Sequence, residues 1–328
     1  MPRTKDVIVG VDLGGTSLRA LAVNGRNEIL AMEKIPTNKA QRPSRLIADI
    51  AGVVEEAART AGLKIREVRA VSVGAPGPTD PVRGIVHKAP NLGWHEVALA
   101  SALKALLHVP VVVDNDVHVG GIGEYALGAG RGAKDMVAIF VGTGIGGAII
   151  SGGRLYDGSS GGAGEIGHMV IAVDGPVCGC GHRGCVEALA SRTAMEREVR
   201  AAIKNGRKSI VLKIMRETHH ERMTSSIVAR ALKKNDKVMR KVMQNAQHYL
   251  GILVANVVNL LDPDRVVIGG GINERLGEEF VGPIRATAYE YFLRPKDVHR
   301  VRIVGGTLGD NAGALGAVVL ARQRLREV

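Results

Sequence analysis

The chain has 328 residues, 45% of them hydrophobic but only 3% aromatic, with 43 glycines and a net charge of +12. That length holds two ordinary cores or one large α/β unit, and a core built from Val, Ile, Leu and Ala suits β-α alternation better than an aromatic-pinned sandwich. No stretch approaches the ~20 apolar residues of a membrane span and the N-terminal apolar run is too short for a signal peptide, so a cytoplasmic protein without a membrane partner is expected. The basic excess gathers in "KNGRKSIVLKIMRETHHERM" and "KKNDKVMRK" with few aromatics among it. This reads as a solvated helical face rather than a nucleic-acid surface, and it also suits small anionic substrates.

In chain order, "DVIVGVDLGG" is a strand stopped by a glycine pair, and "SLRALAVNGRNEIL" is a strand, an Asn-Gly turn and a strand. The spacing thus predicts an opening hairpin with a glycine-lined first turn. A helix is predicted over residues 43–62, with Leu46, Ile47, Ile50, Val53 and Val54 on one face. "VRAVSVGAPGP" follows as a strand. "HVPVVVDNDVHVGGIGEYALG" passes from an apolar strand into helical spacing that contains Gly120, Gly121 and Gly123. Each glycine costs roughly 1 kcal/mol against Ala in a helix, so close packing or a ligand must hold this one. "MVAIFVGTGIGGAII" repeats the strand and glycine loop, the mark of an internally duplicated architecture. "YLGILVANVVNLLDPDRVVIGGGI" is a helix striped by Leu250, Leu253, Val254, Val257 and Leu261, then a buried strand and three glycines. An Ala-rich helix ends the chain, with Asp310 or Asn311 placed to cap it. The expected domains are a small α/β domain over 1–117, joined by the returning helix 310–328, and a larger one over 118–309.

Three glycine clusters follow strands: Asp12-Leu13-Gly14-Gly15-Thr16, Gly142-Thr143-Gly144 and Gly269-Gly270-Gly271. Without a Cβ, backbone N–H groups can approach and point at a phosphate, and three such loops together favour nucleotide binding. The P-loop pattern is absent. "GTGIGG" lies between two strand-like runs, which disfavours a dinucleotide fold. All three cysteines, Cys178, Cys180 and Cys185, lie in "VCGCGHRGCVE". Clustered thiols in a reducing compartment point to a metal, and tetrahedral zinc needs one further ligand, for which His168 and His182 are equally placed by chemistry. Asp116, with Asp114 as its competitor, follows an apolar strand and precedes a helix, where a carboxylate reaches a ligand or caps the helix.

Taken in this order, Asp12 to Thr16, Asn115-Asp116, the second glycine loop and the cysteine knuckle resemble the ROK family of sugar kinases and sugar-responsive repressors over essentially the whole chain. The resemblance implies an α/β fold of the actin-like ATPase (ribonuclease H-like) type, with two domains around a cleft and a zinc knuckle. Cys178-Gly-Cys180-Gly181-His-Arg-Gly184-Cys185-Val-Glu187 matches the family's knuckle in full, and the family's Glu-x-Gly-His makes His168 the fourth ligand of a structural Zn²⁺. The closed ligand set orients the pocket and does no Lewis-acid work.

By the same resemblance Asn91, Asn115, Glu165, His168 and Glu187 contact a sugar, and Asp116 touches it as general base. Gly14, Gly15, Thr16, Gly142, Thr143, Gly144, Gly269, Gly270 and Gly271 hold ATP, and Asp12 holds Mg²⁺ through water. The stretch "GAPGPTDPVRGIVHKAPNLGW" is similar to glucokinases within the family. The expected activity is transfer of the γ-phosphoryl of ATP to the 6-hydroxyl of a hexose, glucose first. N-acetylmannosamine, N-acetylglucosamine, mannose or fructose is the alternative acceptor, and polyphosphate an alternative donor. A homodimer or homotetramer is implied, with no nucleic-acid partner. The first strand is expected at about residue 6, which leaves no winged helix ahead of it and disfavours the repressor. Val117 and His118 depart from the family's Asn-Asp-Ala-Asn, so His118 is a substitute ligand or simply exposed. Trp94, the lone tryptophan, is expected in the core.

Overall fold

Leu13 faces Leu18 across a tight glycine turn, so that β1 (Ile8–Leu13) runs antiparallel to β2 (Ser17–Val23). These coordinates are a computed structural model that describes residues 6–39 and 41–325; the first five residues of the expected small domain and the last three of the expected final helix lie outside them. The Asn-Gly turn leads into β3 (Ile29–Pro36), then come α1 (Pro43–Thr60) and β4 (Ala70–Ala75), which lies parallel to β1. The face of α1 predicted from spacing is the buried one, from Leu46 to Val54. A small antiparallel sheet of β5 (Thr79–Asp80), β6 (Ile85–Ala89) and β7 (Trp94–Val97) precedes α2 (Leu99–Leu107), β8 (Val111–Asn115) and α3 (Asp116–Leu127). The main sheet has the order β3-β2-β1-β4-β8.

A second sheet repeats this plan. β9 (Met136–Val141) and β10 (Ile145–Ser151) form its antiparallel hairpin, β11 (Arg154–Leu155) its edge, and β12 (Arg265–Gly269) and β13 (Arg302–Gly305) run parallel beyond β9. The order β11-β10-β9-β12-β13 reproduces that of the first sheet, as the echoed glycine loops suggested. Between β11 and β12 lie α4 (Val186–Ala190), α5 (Arg192–Lys204), α6 (Val211–Glu217), α7 (Ser225–Lys233) and α8 (Lys237–Leu261). After β12 come α9 (Gly271–Leu276) and α10 (Glu278–Glu290), and α11 (Ala312–Arg324) closes the chain. Leu250, Leu253, Val254 and Val257 are buried along α8, but Leu261 is 39% exposed because the helix ends there. Lys204, Arg207, Lys208, Lys233, Lys234 and Lys237 are exposed at the ends of α5, α7 and α8, the solvated face expected of the basic segments. Among the described residues no helix is long and apolar enough to cross a membrane.

Gly123 of α3 finds its explanation in α11. A Cβ on Gly123 would lie 2.4 Å from the Ala312 carbonyl oxygen, and one on Gly316 would lie 1.6 Å from that of Val119. Two helix backbones therefore touch where side chains would hold them apart. Gly10 does the same for β1, its absent Cβ falling 2.0 Å from the Ala314 oxygen. This packing carries the first unit through Gly128 rather than 117, and brings Leu155–Ala163 and the chain from Asn311 onward into it; Ala129–Arg154 and Gly164–Asp310 form the second unit. Asn311 stands at the N-cap of α11, yet its side chain makes no capping bond. Its Oδ1 accepts from Arg19 Nη1 at 2.5 Å instead.

Gly316→Ala should destabilise the protein by about 3 kcal/mol or more in urea unfolding, because a carbonyl in a packed helix cannot yield by such a distance. Gly52, in the exposed middle of α1 with nothing within 4 Å of its missing Cβ, should gain about 0.5–1 kcal/mol on replacement by Ala. Equal effects at the two sites would show that helix propensity, not contact, governs Gly316.

Candidate active site

In the first unit, the glycine loop after β1 is tied from behind. Gly14 donates to the Ser17 carbonyl at 3.0 Å, and Thr37 Oγ1 donates to the Gly14 carbonyl at 2.7 Å. Asp12 is half-buried, and a Cβ on Gly313 would come 2.8 Å from its carboxyl carbon. The carboxylate thus sits at the first turn of α11, where the unpaired N–H groups of a helix favour negative charge. A Cβ on Gly15 would lie 3.6 Å from Lys39 Nζ. No motif announces this ammonium beside the loop, since Lys39 lies far along the chain in an unpatterned stretch.

Asn115, not Asp114 or Asp116, caps α3. Its Oδ1 accepts from the N–H groups of Val117 and His118 at 2.9 and 3.1 Å, while Nδ2 donates to the Gly77 carbonyl at 3.0 Å. One Nδ2 hydrogen is left for a ligand. Asp116 is the first residue of the helix and half-buried. Burial, reinforced by the negative charge of Asp12, pushes its carboxyl up to about 7. A carboxylate with that affinity for a proton has the strength of a general base near neutral pH.

His118 is neither exposed nor free to serve as a ligand. Its side chain is 8% accessible, its Nδ1 lies 3.2 Å from Asp114 Oδ1, and its Nε2 lies 3.0 Å from the Ala163 carbonyl. Both ring nitrogens meet oxygen acceptors, an arrangement that favours the protonated ring. Burial alone would lower the pKa of His118, but the Asp114 carboxylate and the Ala163 carbonyl outweigh it and raise the value. Burial likewise opposes the Asp114 charge, and His118 together with Arg324, whose Nη2 is 2.5 Å away, prevails and holds that carboxyl low. Asp157 completes the cluster. Asn91 is exposed on the turn Pro90–Leu92, and Trp94 is 2% exposed in the core.

In the second unit, the carbonyls of the glycine loop between β9 and β10 are occupied. Arg192 N–H donates to the Gly142 carbonyl at 3.0 Å and Thr193 Oγ1 to that of Thr143 at 2.8 Å. Glu187 Oε2 accepts from Ile145 N–H at 2.9 Å and would lie 2.3 Å from a Cβ on Gly144. In the third loop Gly269 packs on Phe140, Gly270 has φ +97°, and Gly271 opens α9. Beyond it lies a cleft of about 420 Å³ lined by Asn273, Glu274, Glu278, Gly305 and Thr307. Its carboxylates accept from hydroxyl and amino groups and repel phosphate.

One ligand atom each from His168, Cys178, Cys180 and Cys185 comes within 4.8 Å of all the others. Cys180 Sγ is 3.7 Å from Cys185 Sγ, and Cys178 Sγ is 3.7 Å from His168 Nδ1. A tetrahedral zinc with Zn–S of about 2.3 Å requires sulfur–sulfur edges of about 3.8 Å, so the donors fit that ion. His182 Nδ1 approaches Cys180 at 3.5 Å but does not join the four. His168 Nε2 lies 3.9 Å from Glu165 Oε2 on the side away from the thiols, and Glu187 Oε1 lies 3.7 Å from Cys178 Sγ.

The model of the ROK family matches residues 8–324. The chain belongs to the ROK family. It is 34% identical over 318 residues to a glucokinase of Halalkalibacterium halodurans, covering 96% of this chain and 95% of that one. Its structure is similar, with a TM-score of 0.84 and 32% identity over 97% of this chain and 99% of the other, to a ROK family glucokinase from Streptomyces griseus solved with glucose and AMPPNP. A putative xylose repressor of Caldicellulosiruptor is 30% identical over 96% of this ROK chain, which spans 77% of that protein. The two-unit α/β architecture is accordingly the ROK sugar kinase fold, of the actin-like ATPase type.

Against the effect of burial, the Asp114 carboxylate and the Ala163 carbonyl raise the folded-state pKa of His118 above the ordinary imidazole value. Its contribution to stability should therefore be complete below about pH 6.5 and be lost as pH rises through the folded value. The unfolding free-energy advantage of the native chain over His118→Gln, followed from about pH 6 to about pH 9, should shrink steadily. A difference independent of pH would mean that the buried ring is neutral.

Proposed function

We propose that this ROK chain is an ATP-dependent sugar kinase that transfers the γ-phosphoryl group of ATP to the 6-hydroxyl of a hexose, with glucose as the preferred acceptor. The observation that carries this reading is Asp116, a half-buried carboxyl raised to about 7 at the head of α3. As the hydroxyl attacks, Asp116 takes its proton, while phosphate charge is met by backbone N–H groups of the glycine loops. The carbonyls of Gly14, Gly142 and Thr143 are tied; the N–H groups of Gly14 and Gly142 are tied as well, to Ser17 and Gly144, so in this reading phosphate meets the other N–H groups of the loops. The acidic cleft lined by Glu274 and Glu278 suits the ribose and base of the nucleotide rather than its phosphates. Asp12, a hard oxygen donor, suits Mg²⁺ held through water, which when bound neutralises phosphate charge.

Asn91, Asn115, Glu165, His168 and Glu187 are the sugar-binding side chains of this reading. His168 is suited to two tasks, because Nδ1 faces the thiols and Nε2 remains for a hydroxyl. Cys178, Cys180, Cys185 and His168 would hold a structural Zn²⁺, which when bound fixes the turn bearing Glu165 and the adjoining Glu187. The named glucokinase relative and the glucose-bound Streptomyces griseus structure support glucose over the N-acetyl sugars. Assembly as a homodimer or homotetramer and residence in the cytoplasm belong to the same reading.

ADP release from Mg-ATP over a panel of glucose, mannose, fructose, N-acetylglucosamine and N-acetylmannosamine tests the acceptor. Glucose should show the highest kcat/KM, and a higher value for an N-acetyl sugar would reassign it. Asp116→Asn should lower kcat by roughly 10²- to 10⁴-fold while sugar and zinc remain bound; near-normal turnover removes Asp116 from the role of base. Purified protein should carry one zinc per chain, and Cys185→Ser, at a fully buried thiol, should lose zinc and turnover together. Full activity without zinc would contradict the structural role of the knuckle.

A further inference from the structure

We infer that Arg192 is a phosphate-binding residue of this kinase, its guanidinium gripping the terminal phosphates of the nucleotide alongside Thr143; the inference rests on the ATP-dependent reading above and names a contact that reading lacks. Arg192 opens α5 directly after its N-cap, Ser191. Its backbone N–H holds the Gly142 carbonyl, and its Nη2 donates to Thr143 Oγ1 at 2.6 Å. Its Nη1 donates to Ser225 Oγ at 3.4 Å, and that same oxygen would lie 2.8 Å from a Cβ on Gly271. One guanidinium thus spans from the second glycine loop to the flank of the third.

The charge of this group is poorly matched by its surroundings. Arg192 is half-buried, and its side-chain partners are two neutral hydroxyls. Glu196, four residues on along α5 and the natural helical partner, is turned elsewhere: it holds Arg200 at 2.8 Å, Arg222 at 3.0 Å and the Met223 N–H at 2.9 Å. Among the described residues, the neighbouring arginines with a structural task are carboxylate-paired, whereas Arg192 is in no ion pair within 4 Å. Burial, joined by the like charge of Arg222, lowers its pKa. The Glu196 charge offsets this in part from a distance, but a partly desolvated cation with no carboxylate in contact is costly, and an oxyanion at the loop removes that cost.

The chemistry of the pair also fits phosphate. A guanidinium offers planar, paired donors to two oxygens of one phosphate, which an ammonium does not. Thr143, by accepting from Nη2, has its own hydroxyl hydrogen left to donate. Arg192 therefore adds a charged donor and an oriented neutral one at a loop whose carbonyls are already tied.

The test compares Arg192→Gln and Arg192→Lys with the native protein by calorimetric titration with AMPPNP and with adenosine, together with KM for Mg-ATP and for glucose and the melting temperature. Binding of the triphosphate analogue should weaken roughly 10- to 100-fold in Arg192→Gln and less in Arg192→Lys. Adenosine affinity, the glucose KM and the melting temperature should stay within about twofold or about two degrees of native. Loss of the adenosine and triphosphate affinities by the same factor would make Arg192 a scaffold for the loop and overturn the inference, as would unchanged AMPPNP binding. Failure of native protein to turn over any sugar with ATP would instead strike the parent reading, because the titrations do not depend on turnover.

Discussion

The contact of α11 with β1 and α3, made backbone to backbone through glycine, is what the edge of the first unit that bears Asp12 and Asp116 depends on. Gly10, Gly123 and Gly316 each lie where a Cβ would collide with a carbonyl oxygen. Because β1 and α3 are both drawn onto α11, the residue near the end of one and the first residue of the other, Asp12 and Asp116, come close enough for the charge of Asp12 to act on the Asp116 carboxyl. The rise in the Asp116 pKa is in part a consequence of that approach. Helix propensity argues against glycine in α3, and at Gly123 packing overrides it because only glycine permits the separation.

The second unit reaches a similar end by a different device. Its glycine loop is clasped by side chains, with Arg192 and Thr193 on the carbonyls of Gly142 and Thr143 and Glu187 on the Ile145 N–H. The other oxygen of Glu187 faces Cys178 in the knuckle. One carboxylate therefore links the thiol cluster to the phosphate-type loop. A shift of the knuckle would be felt at the loop through a short chain of hydrogen bonds, a coupling that separate assignments to sugar and metal do not convey.

Much of the plan was legible because it rests on local patterns. The apolar runs of β1 and β2, the stripe on α1 and the glycines after those runs are near-neighbour features, and the strand orders agree with them. The domain boundary expected after residue 117 falls inside α3, and Gly123 was the available sign that this helix packs on α11. Arg192 and Lys39 carried no such sign. Each reaches a glycine loop from a distant segment, and spacing along the chain contains no information about that reach.

By itself the sequence determined the strand and helix types, the three glycine turns and the clustering of every thiol in one short segment, since these follow from periodicity, backbone freedom and proximity along the chain. Only the tertiary structure decided which histidine joins the thiols, which residue caps α3, and that His118 is buried between Asp114 and Ala163. The cap is a local bond whose choice among three adjacent polar residues periodicity does not make, whereas His168 sits on a turn that Val186 N–H bonds at Met169, and His118 meets Ala163 far along the chain. Hydrogen bonds and charge act over a few ångströms of space, and only folding converts separation in sequence into distance.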